Sequence, residues 1–257
     1  MHILKQLKTK KGRDEAGLFI VEGEKCVAEI PDGWETVRYI ASQGYADANE
    51  TEIARYKKTA PLEILRDALF ESYAPAQTPQ GIIALCRQRK FAMDDLIPAG
   101  LTVKTDSFYI VGECLQDPGN VGTLIRTAAA AGASGVILTE GSADIYNPKV
   151  LRAAAGAVLR LPIVTDASLS ETCTEFRCKS IPLYAASPRG DVLPYELDMK
   201  KGFCLLIGNE AHGLSDEAVS CADALVRLPM LNATESLNAS VAGSILLYEA
   251  VRQRTCK

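Results

Sequence analysis

The sequence predicts an α/β fold: a small α/β unit over residues 1–97, then a larger α/β domain over 98–257 with a parallel sheet. Three observations predict it. Short apolar runs alternate with helical stretches through the second half, the pattern of strands covered by crossover helices on both faces. Residues 88–107 lose that periodicity and carry charge, Pro98 and Gly100, as a domain boundary does. The chain has 257 residues, 47% hydrophobic and 23% charged, enough for one large or two smaller cores.

In the first half, Leu18 to Val21 reads as a strand that runs into a helix within 16–30. Residues 34–45 hold a second strand around Trp34-Glu-Thr-Val-Arg-Tyr-Ile-Ala41. Residues 50–58 are helical and polar. Residues 60–87 carry short strand and helix signals, and the half closes on the strand at Gly81-Ile-Ile-Ala-Leu-Cys-Arg87. In the second half, Phe108 to Gly112 is a strand and 120–131 an alanine-rich helix stopped by Gly132. Val136 to Thr139 is a strand, Asn147 to Val158 helical, and Leu161 to Val164 extended. Pro182 to Ala186, Phe203 to Ile207 and Leu225 to Pro229 are further apolar runs. A helix from about Ser236 to Arg252 ends the chain.

Charge excludes some functions. The net charge is −4, and neither half is basic: residues 1–97 carry 14 basic and 15 acidic side chains, the rest 14 and 17. Nucleic-acid binding through bulk charge is therefore not expected. Local patches remain, at Lys5, Lys8, Lys10, Lys11 and Arg13, and at Arg87, Arg89 and Lys90; such runs are also simply solvated faces. The eight cysteines show no CxxC pair and no histidine at metal-ligand spacing, so reduced thiols and no metal are expected. No run of about 18 apolar residues offers a membrane span. The start, MHILKQLKTKKGR, lacks the apolar stretch of a secretory signal, and a cytoplasmic protein is expected.

Three segments carry chemistry. The first, Glu113 to Arg126, follows a strand and enters a helix. Pro118 and Gly119 make a turn and Asn120 is placed to cap the helix. Gly122 and Arg126 share a helix face, which leaves room for a ligand to approach. No GxGxxG or phosphate-loop lysine is present. The second, Leu205 to Ser215, runs from a strand into a loop with Gly208, Asn209, Glu210 and Gly213, where open α/β sheets bind ligands. His212 lies here as a possible base or a bystander. The third, Arg227 to Ser240, leaves a strand at Pro229. Ser236 can cap the last helix, with Ser236 and Asn238 bracketing Leu237. Met230 and Leu237 suit either an adenine slot or the core.

Together these segments resemble the three motifs of the SpoU (TrmH) family of RNA 2′-O-ribose methyltransferases, in the SPOUT superfamily. Asn120, Arg126 and Gly132 match the first motif, Gly208-Asn209-Glu210 and Gly213 the second, Leu228-Pro229-Met230 and Ser236-Leu237-Asn238 the third. Asn147-Pro-Lys-Val-Leu-Arg-Ala, Leu161-Pro162 and the helix reaching Leu247-Tyr248-Glu249 are similar too. Leu18-Phe-Ile-Val-Glu-Gly-Glu-Lys25 resembles the RNA substrate-binding domain that precedes many members. Asn232 departs from the pattern, standing where the family usually has glycine; asparagine tolerates the left-handed region better than most residues.

The resemblance implies a C-terminal trefoil-knot domain binding S-adenosylmethionine between the loops after residues 184, 207 and 229. Backbone groups near Ala186, Ile207 and Leu228 would hold adenine and ribose, with Gly208, Asn209, Met230 and Leu237 completing the pocket. Arg126 would clamp a phosphate and stabilise alkoxide charge, oriented by Asn120 and Glu210, while Ser236 and Asn238 position the ribose or the methionine end. It further implies a homodimer acting on structured RNA, ribosomal rather than transfer RNA, without a metal. The alternatives are a transfer-RNA methyltransferase of the same superfamily and a non-catalytic RNA-binding assembly factor.

Overall fold

The computed structural model describes residues 2–98, 106–232 and 235–255. The expected boundary at 97/98 adjoins a stretch, 99–105, that lies outside these residues, as does Gly100. The N-terminal unit runs α1 (His2–Gln6), α2 (Lys10–Ala16), β1 (Leu18–Glu22), α3 (Glu24–Ala28), β2 (Thr36–Ser42), α4 (Gln43–Ala48) and α5 (Glu50–Thr59). It continues through β3 (Leu62–Leu65), α6 (Asp67–Tyr73), β4 (Ile82–Arg87) and α7 (Met93–Leu96). Its sheet has the order β1-β4-β2-β3, with β4 antiparallel to both neighbours and β2 parallel to β3.

The second unit runs β5 (Phe108–Gly112), α8 (Pro118–Ala131), β6 (Gly135–Thr139), α9 (Pro148–Ala154), β7 (Ile163–Ala167) and α10 (Leu169–Cys178). Then follow β8 (Leu183–Ala186), β9 (Phe203–Ile207), α11 (Asp216–Cys221), β10 (Ala224–Val226) and α12 (Ala239–Thr255). Among the described residues its six strands form one sheet of order β10-β8-β9-β5-β6-β7, every pair parallel. Alternate strand residues serve opposite faces. Ile110, Val136 and Leu205 pack with Leu124 of α8, Val150 of α9 and Leu247 of α12. Tyr109, Ile137 and Leu206 pack with Phe176 of α10 and Ala218 of α11. The expected parallel sheet covered on both faces is what the chain adopts, because its strands are apolar at nearly every position.

Local chemistry moves several boundaries. The N-cap of α8 is Asp117, whose Oδ1 accepts from Asn120 N at 2.8 Å, with Pro118 in the first turn. Asn120 is thus a helical residue, its backbone N–H is held by Asp117, and its side-chain amide is left for other work. Gly132 ends α8 at φ +82° as expected. The helix expected over Asn147–Val158 stops at Ala154, because Ala155 (φ +45°) and Gly156 (φ +81°) are left-handed; a short 3-10 turn follows at Ala157–Leu159. The last helix begins at Ala239, not Ser236: Asn238 Oδ1 accepts from Ser240 N at 3.0 Å and Val241 N at 3.3 Å. Gly122 does not face a ligand. A Cβ there would stand 2.5 Å from Ala153 Cβ and 2.6 Å from Val150 O, so this glycine lets α8 pack against the backbone of α9.

Three polar ties, among other contacts, join the two units. Arg13 is only 3% exposed; its Nη2 and Nε reach Asp144 Oδ2 at 2.5 and 3.0 Å, and its Nη1 donates to Leu7 O at 2.9 Å. Tyr146 Oη donates to Arg89 O and accepts from Arg89 N, both at 2.8 Å, with the Tyr146 ring 4.3 Å from that of Phe19. Arg160 Nη1 pairs with Glu29 at 2.6 Å. The seven described cysteines are unpaired, no described group of three His, Cys, Asp or Glu side chains is placed to hold a metal, and no described helix is long and apolar enough to cross a membrane.

Candidate methyl-transfer site

The loops after β5, β6, β8, β9 and β10 all leave the carboxyl edge of one parallel sheet, where ligands of open α/β folds bind. Three of them carry the motif residues. Glu210, in the loop after β9, organises the loop after β5: its Oε1 accepts from Asp117 N at 3.2 Å and Asn120 Nδ2 at 3.0 Å, its Oε2 from Gln116 N at 3.2 Å. Burial pushes the Glu210 carboxyl up, but the bonds from Asn120, its own backbone, Gln116 and Asp117 outweigh that and leave it below the ordinary carboxylate range. Asn120 passes the connection on. Its Oδ1 accepts from Asn238 Nδ2, in the loop after β10, at 2.8 Å. Ser240 Oγ stands between the two amides, 2.8 Å from Asn238 Oδ1 and 3.2 Å from Asn120 Oδ1. One chain of hydrogen bonds, Glu210–Asn120–Asn238, therefore joins all three motif loops.

Asn209 closes its own loop. Its Oδ1 accepts from Ala211 N and His212 N, its Nδ2 donates to Cys114 O at 2.7 Å, and its backbone exchanges two hydrogen bonds with Gly213. His212 is exposed and contributes its amide to this turn. A Cβ on Gly208 would stand 2.3 Å from Gly213 C and Leu214 N, so only glycine fits where the turn folds back on itself. Glu113 Oε2 accepts from Ser215 N at 2.9 Å. Thus Glu113, Asp117 and Glu210 all bind backbone amides; the acids hold loops together.

Arg126 differs. It lies on the same helix as Asn120, but on another face, exposed and without a hydrogen-bond or ion-pair partner among the described residues. Asn120 and Glu210 bind each other and do not orient it, contrary to the expectation. Ser236 and Leu237 are exposed, and Ser236 makes no hydrogen bond among the described residues. Sequence reasoning missed Asp117, the true cap, and Ser240, which is 4% exposed and bridges two amides. The Asx-turn spacing of Asp117 to Asn120 was the available signal for the first; a serine inside a helix gives none.

The expected basic patches are partly spent within the fold. Arg13 is buried in its ion pair. Arg87 pairs with Glu35 at 3.4 Å, and Arg89 lies over the Trp34 ring at 4.4 Å and bonds Gly33 O. Lys8 and Lys10 stay exposed.

Comparison with known proteins decides the kinship. Residues 107–248, more than half the chain, match the model of the SpoU rRNA Methylase family. The chain belongs to that SpoU family. Residues 1–84 match the MRM3-like substrate binding domain. A SpoU-type relative, the 23S rRNA (guanosine(2553)-2′-O)-methyltransferase RlmP of Bacillus subtilis, is 31% identical over 95% of this chain and 92% of its own. The 23S rRNA (uridine(2479)-2′-O)-methyltransferase of Streptomyces viridochromogenes is 31% identical over 96% of this chain and 87% of its own. The AdoMet-bound rRNA methyltransferase of Sinorhizobium meliloti superposes with a TM-score of 0.87 at 29% identity, covering all of this chain and 95% of that one.

The SpoU cofactor is S-adenosylmethionine, and the residues present fit it. Leu228 and Met230 are half-buried beyond β10, and their backbone groups make no hydrogen bond among the described residues, which leaves donors and acceptors for an adenine edge. Ile207 is buried at the end of β9 and Ala186 half-buried at the end of β8. Asn232 takes φ +57°, a left-handed conformation that asparagine tolerates better than most residues. Gly208→Ala should weaken S-adenosylmethionine binding more than about tenfold, since the added methyl collides with backbone and not with a movable side chain. Calorimetric titration reads this; unchanged affinity would show that the turn is not part of the cofactor wall.

Proposed function

We propose that this protein methylates a ribose 2′-hydroxyl of ribosomal RNA with S-adenosylmethionine, as a cytoplasmic homodimer. The observation that carries this reading is the Glu210–Asn120–Asn238 chain uniting three motif loops, with Arg126 on the same helix as Asn120, exposed and without a hydrogen-bond or ion-pair partner among the described residues. Bound S-adenosylmethionine supplies a methyl group on a sulfonium. Transfer would form a C–O bond and break the C–S bond, whose electron pair stays on sulfur, while the hydroxyl proton passes to solvent water. A ribose hydroxyl is a poor nucleophile, so developing negative charge on its oxygen needs a positive partner. Arg126 fills that role and clamps the adjacent phosphate; a guanidinium is a clamp rather than a base. Asn120 and Glu210 hold the loops, and Ser236 and Asn238 position the ribose or the methionine end. Ala186, Ile207 and Leu228 line the adenosine, with Gly208, Asn209, Met230 and Leu237 around them.

Residues 1–97 choose the RNA, and 98–257 carry the transfer. The loop after β8 is threaded close to β10: Val192 N donates to Leu225 O, Arg227 N to Val192 O, and a Cβ on Gly190 would stand 2.4 Å from Leu225 O. This tight passage supports a trefoil knot around the cofactor. The dimer reading draws on α12. Leu246, Leu247 and Ala250 are buried on one face, while Val241, Ile245 and Tyr248 form an exposed apolar stripe at helical spacing, continued by Leu237.

The test is incubation of the full-length protein with tritiated S-adenosylmethionine and unmodified 23S rRNA or transfer RNA, followed by mapping of the label. Label on one ribose of 23S rRNA is expected. Label on a transfer-RNA base, or cofactor binding with no transfer to any RNA, would replace this reading with the base-methyltransferase or assembly-factor alternative.

A further inference from the structure

Arg13 belongs to a run of basic residues in which every other member faces water. It alone is buried, and three of its nitrogens are engaged inside the protein. Its partner, Asp144, lies in the loop after β6, and the end of β6 together with Ser142 and Ala143 of that loop is hydrogen-bonded to the loop after β5. Thr139 Oγ1 accepts from Cys114 N at 2.9 Å, Ser142 Oγ accepts from Leu115 N at 3.2 Å, and Ala143 N donates to Leu115 O at 2.8 Å. The next two amides, of Gln116 and Asp117, are the ones that bind Glu210. Arg13 is therefore one ion pair and one short loop away from the wall of the transfer cleft. The path has no slack: Cys114 is held at φ +49°, and Asp144 Oδ1 is fixed by Tyr146 N at 2.9 Å.

We propose that Arg13 and Asp144 are positioning residues, which lock the N-terminal unit against the loop that holds Glu210 so that RNA gripped by residues 1–97 presents its ribose in register with Arg126. This rests on the reading of the protein as an RNA ribose methyltransferase. Its physical basis is that a displacement of about 1 Å at the reacting atoms costs on the order of a hundredfold in rate. A guanidinium bound through two nitrogens to one carboxylate oxygen fixes orientation as well as distance. The second tie, Tyr146 to Arg89, keeps the units together when the first is cut, so the variant loses register and not attachment.

The test replaces both charges at once, Arg13→Met with Asp144→Asn, in the full-length protein. Removing one partner alone would strand a buried charge and unfold the protein for an unrelated reason. The asparagine amide oxygen still accepts from Tyr146 N. With in-vitro-transcribed 23S rRNA at saturation, kcat should fall about tenfold or more. The dissociation constants for S-adenosylmethionine and for RNA should stay within about twofold. A structural role would lower the melting temperature and leave the turnover of the folded fraction intact. Should the double variant not fold, Arg13→Lys keeps the charge, loses the two-nitrogen grip, and should show the same kcat loss in smaller measure. A kcat within about twofold of wild type, or a weakened RNA affinity at unchanged kcat, overturns the proposal. A wild-type protein that labels no RNA removes the methyltransferase reading, and this one with it; labelled RNA with an unaffected double variant removes this one alone.

Discussion

Arg126→Ala should abolish detectable methylation, lowering kcat by about 10²–10³-fold or more, the loss typical of one preorganised donor at a developing oxyanion. The effect follows from the surroundings of Arg126. It is exposed, and no described side chain or carbonyl bonds it, so the fold does not use it. Surface substitutions away from such contacts usually change stability by less than about 0.5 kcal/mol. The variant should thus melt with the wild type and bind S-adenosylmethionine about as well, since the residues proposed for the adenine side sit at the ends of β8, β9 and β10 rather than on α8. A loss confined to kcat marks an interaction made only in the transition state. Arg126→Lys should recover a small part of the rate: the ammonium keeps the charge but not the planar fork that matches a phosphate. The measurement is single-turnover transfer from tritiated cofactor to 23S rRNA, with a parallel melt. Wild-type rates in Arg126→Ala would remove this residue from the chemistry.

How much of this was readable beforehand depends on whether a residue's role is local. Strands β5, β8 and β9 were legible because they are buried on both faces and therefore continuously apolar. The end of α8 was legible because Gly132 is left-handed for reasons of backbone sterics alone. Asn232, which stands where the family usually has glycine, takes the left-handed region that asparagine tolerates better than most residues. Roles set by partners far away in sequence were not legible. Asn120 reads as a cap until Asp117 is seen to hold its amide, and only then is its side chain free to reach Glu210, 90 residues on. Arg13 reads as one more surface cation until Asp144, 131 residues away, draws it inside. Arg126 and Glu210 look like a pair by charge. Instead the carboxylate is used up by backbone amides, which a sequence pattern does not count.

Asn120→Asp should be the most informative change in the network, because it keeps the shape and reverses one hydrogen bond. In the wild type, Asn120 Nδ2 donates to Glu210 Oε1 at 3.0 Å while Oδ1 accepts from Asn238 at 2.8 Å. An aspartate still accepts from Asn238, but sets a second negative oxygen where Glu210 had a donor. Asn120 is 8% exposed, so water screens this repulsion poorly. Transfer should fall at least about tenfold at pH 8, and thermal melts should show a clear loss of stability. The pH dependence separates this cause from simple loss of packing. The folded carboxyl of wild-type Glu210 lies below its ordinary value of 4.5. Its contribution to stability is therefore complete above about 4.5 and is lost only as the pH falls through the lowered folded value. In the variant, two carboxylates share one site and titrate as a pair, the first proton binding at a raised apparent pKa. Once bound, that proton restores a donor between positions 120 and 210. The stability gap between variant and wild type should accordingly be widest near pH 8 and narrow steadily towards pH 5. Melts across that range measure it, and a gap that stays constant with pH would mean that the Glu210–Asn120 bond does not hold the three loops together.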